Sequence, residues 1–505
     1  MKKLLCVLLC AVLLLGVLVS CGKKTDDPNK DNESTSQNAG NNGGGDEISG
    51  GEDEGSSESE TTRKQDIVVE DFSQGGVARD FTMMVRIGRN HYLYAEKDST
   101  DHVVHGTFLR NTRVENDYGI KIKIYEPSGT NNSKPDAFIA ALAGSTGQYD
   151  LCVPDYWWLL EHQGFFINLF DRDELGFNQG GLNQDYWYTS WNDNTTVNNK
   201  LYTVVGDASL EILENIEVIY FNKAMTNSLG LDMYQLVNDK EWTLDQMNDI
   251  GKQFAGGSET TDTSDDSYGV VVDNHSTAAM LYTSGIKLTE IDEYGAISLI
   301  AQSRGVNSEI HAKLKEIFLS TDNYWDKNTA RSNVGVKTNL FVNGKTAFYA
   351  NCLYVGGNIT KSASEDFEFG ILPAPLYAEG DDYISTAYGV SVFGIPKSSV
   401  DLHFSAMILD ALNFHSWNTV VSGFFDSSMK ANLAAGSDDA KMLDLARNNL
   451  YFDFAWILQT GGKMTVHGAF QGAFAETKDL ATNLTAAMEV SVPGLGEIMA
   501  FYTKD

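Results

Sequence analysis

The stretch QYDLCVPDYWWLLEHQGFF, residues 148–166, decides the fold of this chain. Its first part, YDLCV, is a short apolar run typical of a buried strand, and Pro154 ends that run. Three aromatic residues follow at once: Tyr156, Trp157 and Trp158. Ligands of parallel sheets bind beyond the carboxyl ends of the strands. These rings therefore either fill a core or lie where a flat ligand can stack on them.

The chain before this stretch alternates between strand and helix patterns. FTMMVR (81–86) and IKIKIYE (120–126) are predicted strands, and residues 107–119 and 135–145 have helical spacing of apolar side chains. With the strand at 149–154 the order is β-α-β-α-β. This order predicts an α/β unit with a largely parallel sheet.

Later segments continue the mixed pattern. Residues 201–225 form a long β-rich run that is interrupted at Gly206. A helix is predicted to begin at Thr243, with Gln246 as its capping partner. Residues 308–320 have the apolar stripe of an amphipathic helix. The class is therefore α/β throughout.

Length and charge restrict the function. A chain of 505 residues is too long for one core, so two folded domains are expected. Acidic residues outnumber basic ones by 69 to 37, which gives a net charge of -32. Such a surface repels phosphate backbones and anionic lipids, so we expect no nucleic-acid partner and no basic membrane-docking patch.

The first residues look like a targeting segment. Lys2 and Lys3 precede an apolar run at 4–17 that is too short to span a bilayer, and LVSC follows at 18–21. This pattern resembles a bacterial lipoprotein signal, with a signal peptide at 1–20 and a lipidated anchor at Cys21. The residues alone also allow an ordinary secretory signal with a chance cysteine.

Residues 21–65 are dominated by Gly, Ser, Asn, Asp and Glu. A segment with so few apolar side chains cannot bury enough surface to offset its chain entropy. The segment is therefore predicted to be a disordered acidic linker.

Two cysteines remain beyond the anchor, Cys152 and Cys352, both in strand-like contexts. They could form a disulfide, but two buried free thiols are the preferred interpretation. HVVH (102–105) has the spacing of a metal-ligand pair but lacks a third ligand, so a surface turn is predicted there and no metal or cofactor is expected.

Several short motifs occur in a fixed order over about residues 81–417, and together they resemble the extracellular solute-binding proteins of ABC importers, in the group of the maltose- and oligosaccharide-binding proteins. The motifs are YDLCVPD (149–155), INLFD (167–171), KLYTVV (200–205), IEVIYFNKAMTNSLGLD (216–232), EWTLDQM (241–247), FVNGKTAFYAN (341–351), FGILPAPL (369–376) and TAYGVSVFGIPKSS (386–399).

The resemblance implies a two-domain, periplasmic-binding-protein-like (type II) α/β fold with the ligand cleft between the domains. The first domain would hold about 79–207 plus 388–425, and the second about 211–384 plus 430–505. The chain would cross between them near Gly206–Glu211 and Ser385–Gly389, and Gly206 and Gly389 interrupt strand patterns where the chain can bend.

The resemblance also implies a function. The protein would be a monomeric, non-enzymatic receptor, anchored by its lipid to the outer face of the cell membrane. It would capture a carbohydrate, in particular an oligosaccharide, and deliver it to an ABC permease. Two alternatives stay open from the residues themselves: an exported glycoside hydrolase with two carboxylates about 5–10 Å apart, and a polysaccharide adhesin without a transporter.

The expected ligand-binding residues lie at the strand ends and at the crossings. They are Asp155, Tyr156, Trp157, Trp158, Asp207, Glu211, Asn351, Tyr354, Tyr388 and Trp456. Consecutive helical residues point about 100° apart, so one of the two adjacent tryptophans is expected to face the core. Asp155 is equally well explained as a helix N-cap, Asp207 and Glu211 as a solvated hinge, and Trp456 as core.

Overall fold

The computed structural model describes residues 67–128, 135–177, 181–257, 266–300, 305–325, 334–421, 423–424, 437–458, 462–475 and 479–503. The predicted signal peptide, its anchor Cys21 and the linker at 21–65 lie outside these residues. All of the described residues belong to one compact unit, Glu60–Asp505.

The first sheet contains β1 (Arg79–Val85), β2 (Ile120–Tyr125) and β3 (Leu151–Val153), in the order β2-β1-β3 with every pair parallel. Two helices connect these strands, α1 (His102–Tyr118) and α2 (Asp136–Ala143). The predicted β-α-β-α-β unit with a parallel sheet is confirmed.

The residues at the start of α1 correct one prediction. Asp101 caps this helix, because its side chain accepts hydrogen bonds from the backbone N–H groups of Val103 and Val104. HVVH is therefore the first turn of a helix and not a surface turn. His105 is bound through Nδ1 to Asp98 at 2.6 Å, on the exposed side of that helix.

The second sheet is mixed. Within the described residues its order is β10-β4-β9-β5-β8, formed by Phe369–Leu372, Glu217–Asn222, Thr346–Cys352, Tyr268–Val272 and Tyr324–Trp325. β4 runs antiparallel to β9 and β10, and β5 runs parallel to β9 and β8. Every residue of β4 and β9 is buried, as expected for central strands covered on both faces.

The β-rich run predicted at 201–225 is shorter in the structure. Only β4 is a regular strand there, and the short helix α5 (Glu211–Glu214) precedes it. Upstream of that helix, residues 201–206 form no regular strand and pair with other segments through isolated bridges, such as Val204 to Phe393. A separate hairpin, β6 (Thr289–Ile291) and β7 (Ile297–Leu299), lies beyond β5 in the chain.

The remaining helices cover the two sheets. Thr243 caps the helix Leu244–Lys252, since its Oγ accepts from the Gln246 N–H at 3.1 Å, and the apolar stripe predicted at 308–320 is buried on the helix Gly305–Leu319. Their bounds are α3 Leu159–His162, α4 Thr189–Thr195, α6 Lys223–Ser228, α7 Met233–Asn238, α8 Leu244–Lys252, α9 Asn274–Thr283, α10 Gly305–Leu319, α11 Val334–Val342, α12 Gly356–Ser362, α13 Leu402–Ser416, α14 Asp438–Asn448, α15 Phe454–Ile457, α16 Val466–Ala475 and α17 Leu480–Tyr502.

Two chain segments run side by side between the sheets. Ile216 pairs with Ala387 in an antiparallel bridge, and the N–H of Tyr388 donates to the carbonyl of Asn215 at 2.9 Å. The second segment then reaches the first sheet, where Gly394 pairs with Cys152. The division into two domains, with its limits, remains a prediction.

The two predicted hinge glycines have different physical roles. Gly389 has a φ of 80°, a left-handed conformation that favours glycine. At Gly206 a Cβ atom would lie 2.1 Å from Oδ1 of Asn413 and 2.7 Å from the ring of Trp187. Gly206 is therefore needed for close packing.

Helix α17 is long and apolar enough, by length and composition, to cross a membrane, and 28% of its most apolar window is buried. Ile498 and Tyr502 are among the residues on its buried face, whereas Glu489 and Glu497 are exposed. Gly494 lies on the buried face too, where a Cβ atom would meet the carbonyl oxygen of Lys463 at 2.0 Å. This packing is that of an amphipathic helix against the rest of the unit.

Candidate functional site

The turn after β3 is fixed by a helix cap. Asp155 Oδ1 accepts a hydrogen bond from the N–H of Trp157 at 3.0 Å, and residues Tyr156–Trp158 form one turn of 3-10 helix. The N-cap interpretation of Asp155 therefore describes its local role. The cap sets the directions in which the three rings point.

The turn separates the two tryptophans. Trp158 is buried in a small apolar cluster with Phe138 and Phe166, while Trp157 is only partly buried. Tyr156 is buried, and its hydroxyl accepts from the N–H of Gly389 at 3.2 Å. One tryptophan thus faces the core as expected, and it is Trp158.

Trp157 is the centre of an aromatic group, here called the ring cluster, formed by Tyr156, Trp157, Tyr282, Tyr388 and Trp456. Its indole stacks on Tyr156 at 4.5 Å and makes T-shaped contacts with Tyr388 and Trp456 at 5.9 and 6.1 Å, all measured between ring centroids. Trp456 is buried and stacks on Tyr282 of α9 at 5.0 Å. Trp157 therefore contacts rings from three places: Tyr156 after β3, Tyr388 just after the bridge at Ala387, and Trp456, which packs on α9 beside the second sheet.

An ion-pair network lies beneath the turn. Arg86 follows β1 and binds both Asp155 and Glu211, the latter at 2.8 Å from Nη2. Glu211 also pairs with Arg89 at 3.2 Å and accepts from the hydroxyl of Ser391. Burial raises the pKa of Asp155, and the neighbouring Arg86 guanidinium opposes that rise. Two cations and two anions leave the network close to neutral.

The sequence prediction omitted both arginines. Arg86 ends the FTMMVR segment, and β1 is parallel to β3 with Val85 opposite Val153. This register continues to Arg86 opposite Pro154, so a basic residue at the end of the predicted strand 81–86, one position from Asp155, was the signal for this contact. Glu211 is buried and paired, so the solvated-hinge alternative does not describe it.

Asp207 is held in a second ion pair. Both of its carboxylate oxygens accept from Nη2 of Arg447 at 2.9 Å. The guanidinium of Arg447 also lies over the rings of Tyr188 and Trp417, at 4.8 and 4.5 Å. The carboxylate of Asp207 is buried and makes these contacts within the protein, so a solvated hinge does not describe it either.

Of the two residues predicted to follow the strand at 341–351, Asn351 lies within β9 and Tyr354 follows it, at the matching end of the second sheet. Asn351 is fully buried, where its Nδ2 donates to the hydroxyl of Tyr349 at 2.8 Å and its Oδ1 accepts from the Cys352 N–H. Tyr354 is partly buried in the 3-10 turn Leu353–Val355. Whether these residues contact a ligand stays a prediction.

A polar cluster lies beside Asn351 and was not predicted. The side chains of Glu217, His275 and Cys352, here called the Glu-His-Cys cluster, place one ligand-type atom each within 4.8 Å of the others, and all three are buried. His275 also packs on the ring of Tyr388 at 4.9 Å, which joins this cluster to the ring cluster. Cys352 and Cys152 are both buried free thiols, as expected.

A groove of about 590 Å³ opens elsewhere, between the chain around α4 and the β6–β7 hairpin. Amide and carboxylate side chains line it, together with Phe170, Phe177 and Tyr294. Tyr294 is the most exposed of these rings, at 80%. This groove contains none of the predicted ligand-binding residues, but it is a second surface at which a polar solute could bind.

Many solved chains resemble this one, and three of them illustrate the similarity. One is an ABC-transporter solute-binding protein from Agrobacterium radiobacter in complex with ribitol, with 14% identity, 83% and 99% of the two chains covered, and a TM-score of 0.51. UgpB from Mycobacterium tuberculosis, in complex with glycerophosphocholine, is 15% identical. The match covers 84% of this chain and 99% of UgpB, with a TM-score of 0.53. The sugar-binding protein MalE from Xanthomonas citri is 12% identical. The match covers 84% of this chain and 100% of MalE, with a TM-score of 0.56.

These similarities define the class of fold. The chain has the mixed α/β fold of the periplasmic solute-binding proteins of ABC transporters, as the sequence resemblance implied. No protein-family profile and no curated protein sequence matches the chain.

Proposed function

We propose that this protein is a receptor that captures a neutral, polyhydroxylated solute, a sugar or a polyol, and delivers it to an ABC permease. The observation that carries the proposal is the partly exposed indole of Trp157 in the ring cluster, directly after a strand of the first sheet. An indole face is apolar and planar, so it matches the C–H face of a sugar ring.

The size of the expected stacking contribution can be estimated. A sugar that buries about 80 Å² more apolar surface on the Trp157 ring would gain about 2 kcal/mol. Such a contribution corresponds to about a 30-fold change in affinity. A few rings of this kind, combined with polar groups that fix orientation, are typical of small-molecule sites.

The charges favour an uncharged ligand. The guanidinium groups of Arg86 and Arg89 are already paired with Asp155 and Glu211. A phosphate or carboxylate ligand would have to displace these acidic groups, and the net charge of -32 opposes its approach. A hydroxyl-rich neutral ligand meets neither obstacle.

The proposed mechanism is closure of the two parts of the molecule around the ligand, which requires no catalysed reaction. Trp157 follows β3 of the first sheet, and Trp456 stacks on α9, which follows β5 of the second sheet. A ligand that contacts both sides stabilises the closed form by its differential contacts. A permease can then recognise that form.

The location and assembly of the protein are part of the same proposal. The lipoprotein-like signal before Cys21 supports anchoring to the outer face of the membrane by acyl chains. The linker at 21–65 would then let the folded unit move relative to its anchor. The receptor is proposed to act as a monomer and to take oligosaccharides.

The hydrolase alternative needs two carboxylates that are free to transfer protons or attack. Asp155 and Glu211 are bound to Arg86, and Asp207 is bound to Arg447. These three acidic candidates therefore do not form such a pair, and the receptor is the better proposal.

Calorimetry on the full chain tests the proposal. The panel contains ribitol, maltose and longer glucose oligosaccharides, and each mixture is analysed for cleavage products. We expect micromolar or tighter binding of at least one compound, and about 30-fold weaker binding by Trp157→Ala. Trp325→Ala, which removes a partly buried tryptophan of β8, is the matched control and should bind normally.

The other outcomes are decisive as well. Cleavage of a glycan would replace the receptor by the hydrolase. Binding that is lost in Tyr294→Ala and kept in Trp157→Ala would move the site to the groove at α4. If no compound of the panel binds, the proposal of a sugar or polyol ligand is overturned.

A further inference from the structure

The Glu-His-Cys cluster has the composition of a transition-metal site, and we propose that it binds one Zn²⁺ ion. Three kinds of donor atom meet there, a carboxylate oxygen, an imidazole nitrogen and a thiol sulfur. Imidazole and thiolate favour Zn²⁺ over the hard cations Mg²⁺ and Ca²⁺, which prefer oxygen ligands alone.

The three donor atoms form a nearly regular triangle. Sγ of Cys352 lies 3.1 Å from Oε1 of Glu217 and 3.2 Å from Nε2 of His275, and the last two atoms are 3.4 Å apart. Tetrahedral zinc has bonds of about 2.0–2.3 Å, which place neighbouring ligand atoms about 3.3–3.6 Å apart. Small outward movements of the side chains would therefore accommodate the ion.

The backbone delivers these side chains from two neighbouring strands and from the helix that follows a third. Glu217 begins β4 and is paired directly with Cys352, the last residue of β9. β5 is the other neighbour of β9, and His275 lies three residues beyond its end, in the first turn of α9. Donors on adjacent central strands are held more rigidly than donors on loops.

The surrounding groups orient the donors. Nδ1 of His275 donates to Oδ1 of Asp273 at 2.6 Å, which leaves the Nε2 lone pair directed at Cys352 and Glu217. The hydroxyl of Ser276 donates to Oε2 of Glu217 at 2.8 Å, so Oε1 is the oxygen that faces the other two ligands. A carboxylate behind a histidine is the usual outer support of a zinc ligand.

The charges balance when the ion is present. A Zn²⁺ ion with one carboxylate and one thiolate is neutral overall, which suits a fully buried position. The supporting Asp273 is neutralised separately by Lys337, and both of these side chains are fully buried.

Three protein ligands leave the fourth position of a tetrahedral ion for a water molecule or a ligand atom. Tyr388 covers His275 and also contacts Trp157, so the proposed ion would lie next to the ring cluster. The site does not depend on the sugar proposal, since metal binding can be measured without any sugar.

The experiment measures metal on the full chain purified without added metal. Zinc content is determined by mass spectrometry, the protein is stripped with a chelator, and Co²⁺ is titrated as a spectroscopic probe. We expect one strongly bound ion per chain and a thiolate-to-cobalt charge-transfer band, with Zn²⁺ displacing the Co²⁺. An absence of both bound zinc and the cobalt band in the wild-type chain would overturn the proposal.

Variants assign the band to the cluster. Cys352→Ser should abolish it, and Cys152→Ala, which alters the other described cysteine, should leave it unchanged. Asp273→Asn should weaken Co²⁺ binding by about 10–100-fold while the band keeps its position. A band of normal intensity in folded Cys352→Ser would place the metal at other cysteines and overturn the site. If Cys352→Ser does not fold, the affinity of Asp273→Asn decides instead, and unchanged affinity there overturns the site.

Discussion

The ends of β3 and β9 are alike in design and different in chemistry. Each strand carries a buried cysteine near its end, and a single turn of 3-10 helix follows each of them, Tyr156–Trp158 after β3 and Leu353–Val355 after β9. The first end presents aromatic rings above a compensated ion-pair network. The second presents the Glu-His-Cys cluster.

The two cysteines show where the difference arises. Cys152 packs with apolar side chains, among them Met84 and Trp158. Cys352 faces Glu217 and His275, which come from β4 and from the helix after β5. The side chains that neighbouring strands bring to a strand end therefore decide whether a cysteine there lies in apolar or polar surroundings. The strand's own sequence supplies only the cysteine.

The largest effect should come from removing the cation under the first strand end. Arg86→Met leaves Asp155 without a cationic partner and Glu211 with Arg89 alone, although the two carboxylate side chains are only 5% and 2% exposed. Uncompensated buried charges cost about 3–5 kcal/mol of unfolding free energy. The measurement is the unfolding free energy from urea denaturation. Its dependence on urea concentration should be the same in the variant and the wild type, so that the two free energies can be compared.

Two comparison variants accompany that measurement. Arg113→Met removes an exposed partner of Asp117 on α1 and should cost less than about 1 kcal/mol. Lys337→Met removes the buried partner of Asp273 at the second strand end and should match the large effect. A loss for Arg86→Met no greater than that of Arg113→Met would contradict the role of the network.

The next effect concerns the pH dependence of stability and a buried histidine near the first strand end. His162, near the first end, is fully buried, and this burial lowers its pKa to about 3. A histidine that is neutral in the fold contributes stability above its unfolded pKa of about 6.5, and the contribution is lost as the pH falls toward 3. At pH 4 the loss should be on the order of 3 kcal/mol.

The measurement is the unfolding free energy between pH 7 and pH 4. His162→Asn should flatten its decline, because the residue that must take up a proton is gone. His403→Asn, at an exposed histidine paired with Glu70, is the control and should keep the wild-type dependence. An unchanged decline in His162→Asn would show that this imidazole is not held neutral by burial.

The smallest effect compares serine at the two cysteines, with a chelator present. In Cys152→Ser a hydroxyl enters apolar surroundings, and burying it without a partner costs about 1–3 kcal/mol. In Cys352→Ser the hydroxyl can donate to Glu217 as the thiol does, so the cost should be well below that of Cys152→Ser. Equal costs from urea unfolding would mean that the two environments do not differ in polarity as described.

The sequence predicted the elements around the first strand end well. Apolar alternation at 120–126 and helical spacing at 135–145 gave β2 and α2, since local periodicity reports which face of an element is buried. The run at 201–225 was predicted less well, because before β4 it forms isolated bridges and a short helix instead of a regular strand. Apolar composition alone does not show whether a neighbouring strand is in register.

The contacts of the candidate site were less predictable. Sequence spacing correctly placed Trp157 at a strand end, but it did not show that Arg86 would pair with Asp155 or that Arg447 would pair with Asp207. The Glu-His-Cys cluster joins residues 77 and 135 positions apart, so no motif search by local spacing could detect it.

By itself, the sequence determined the α/β class, the order of strand and helix in the first sheet, and the aromatic turn after β3. These features depend on the spacing of apolar and polar residues within short segments, which can be read directly from the sequence. Only the tertiary structure decided that Trp158 turns inward, that the acidic candidates are paired with arginines, and that Glu217, His275 and Cys352 meet. Those outcomes depend on strand order and register, which bring distant residues within hydrogen-bond distance after the chain has folded.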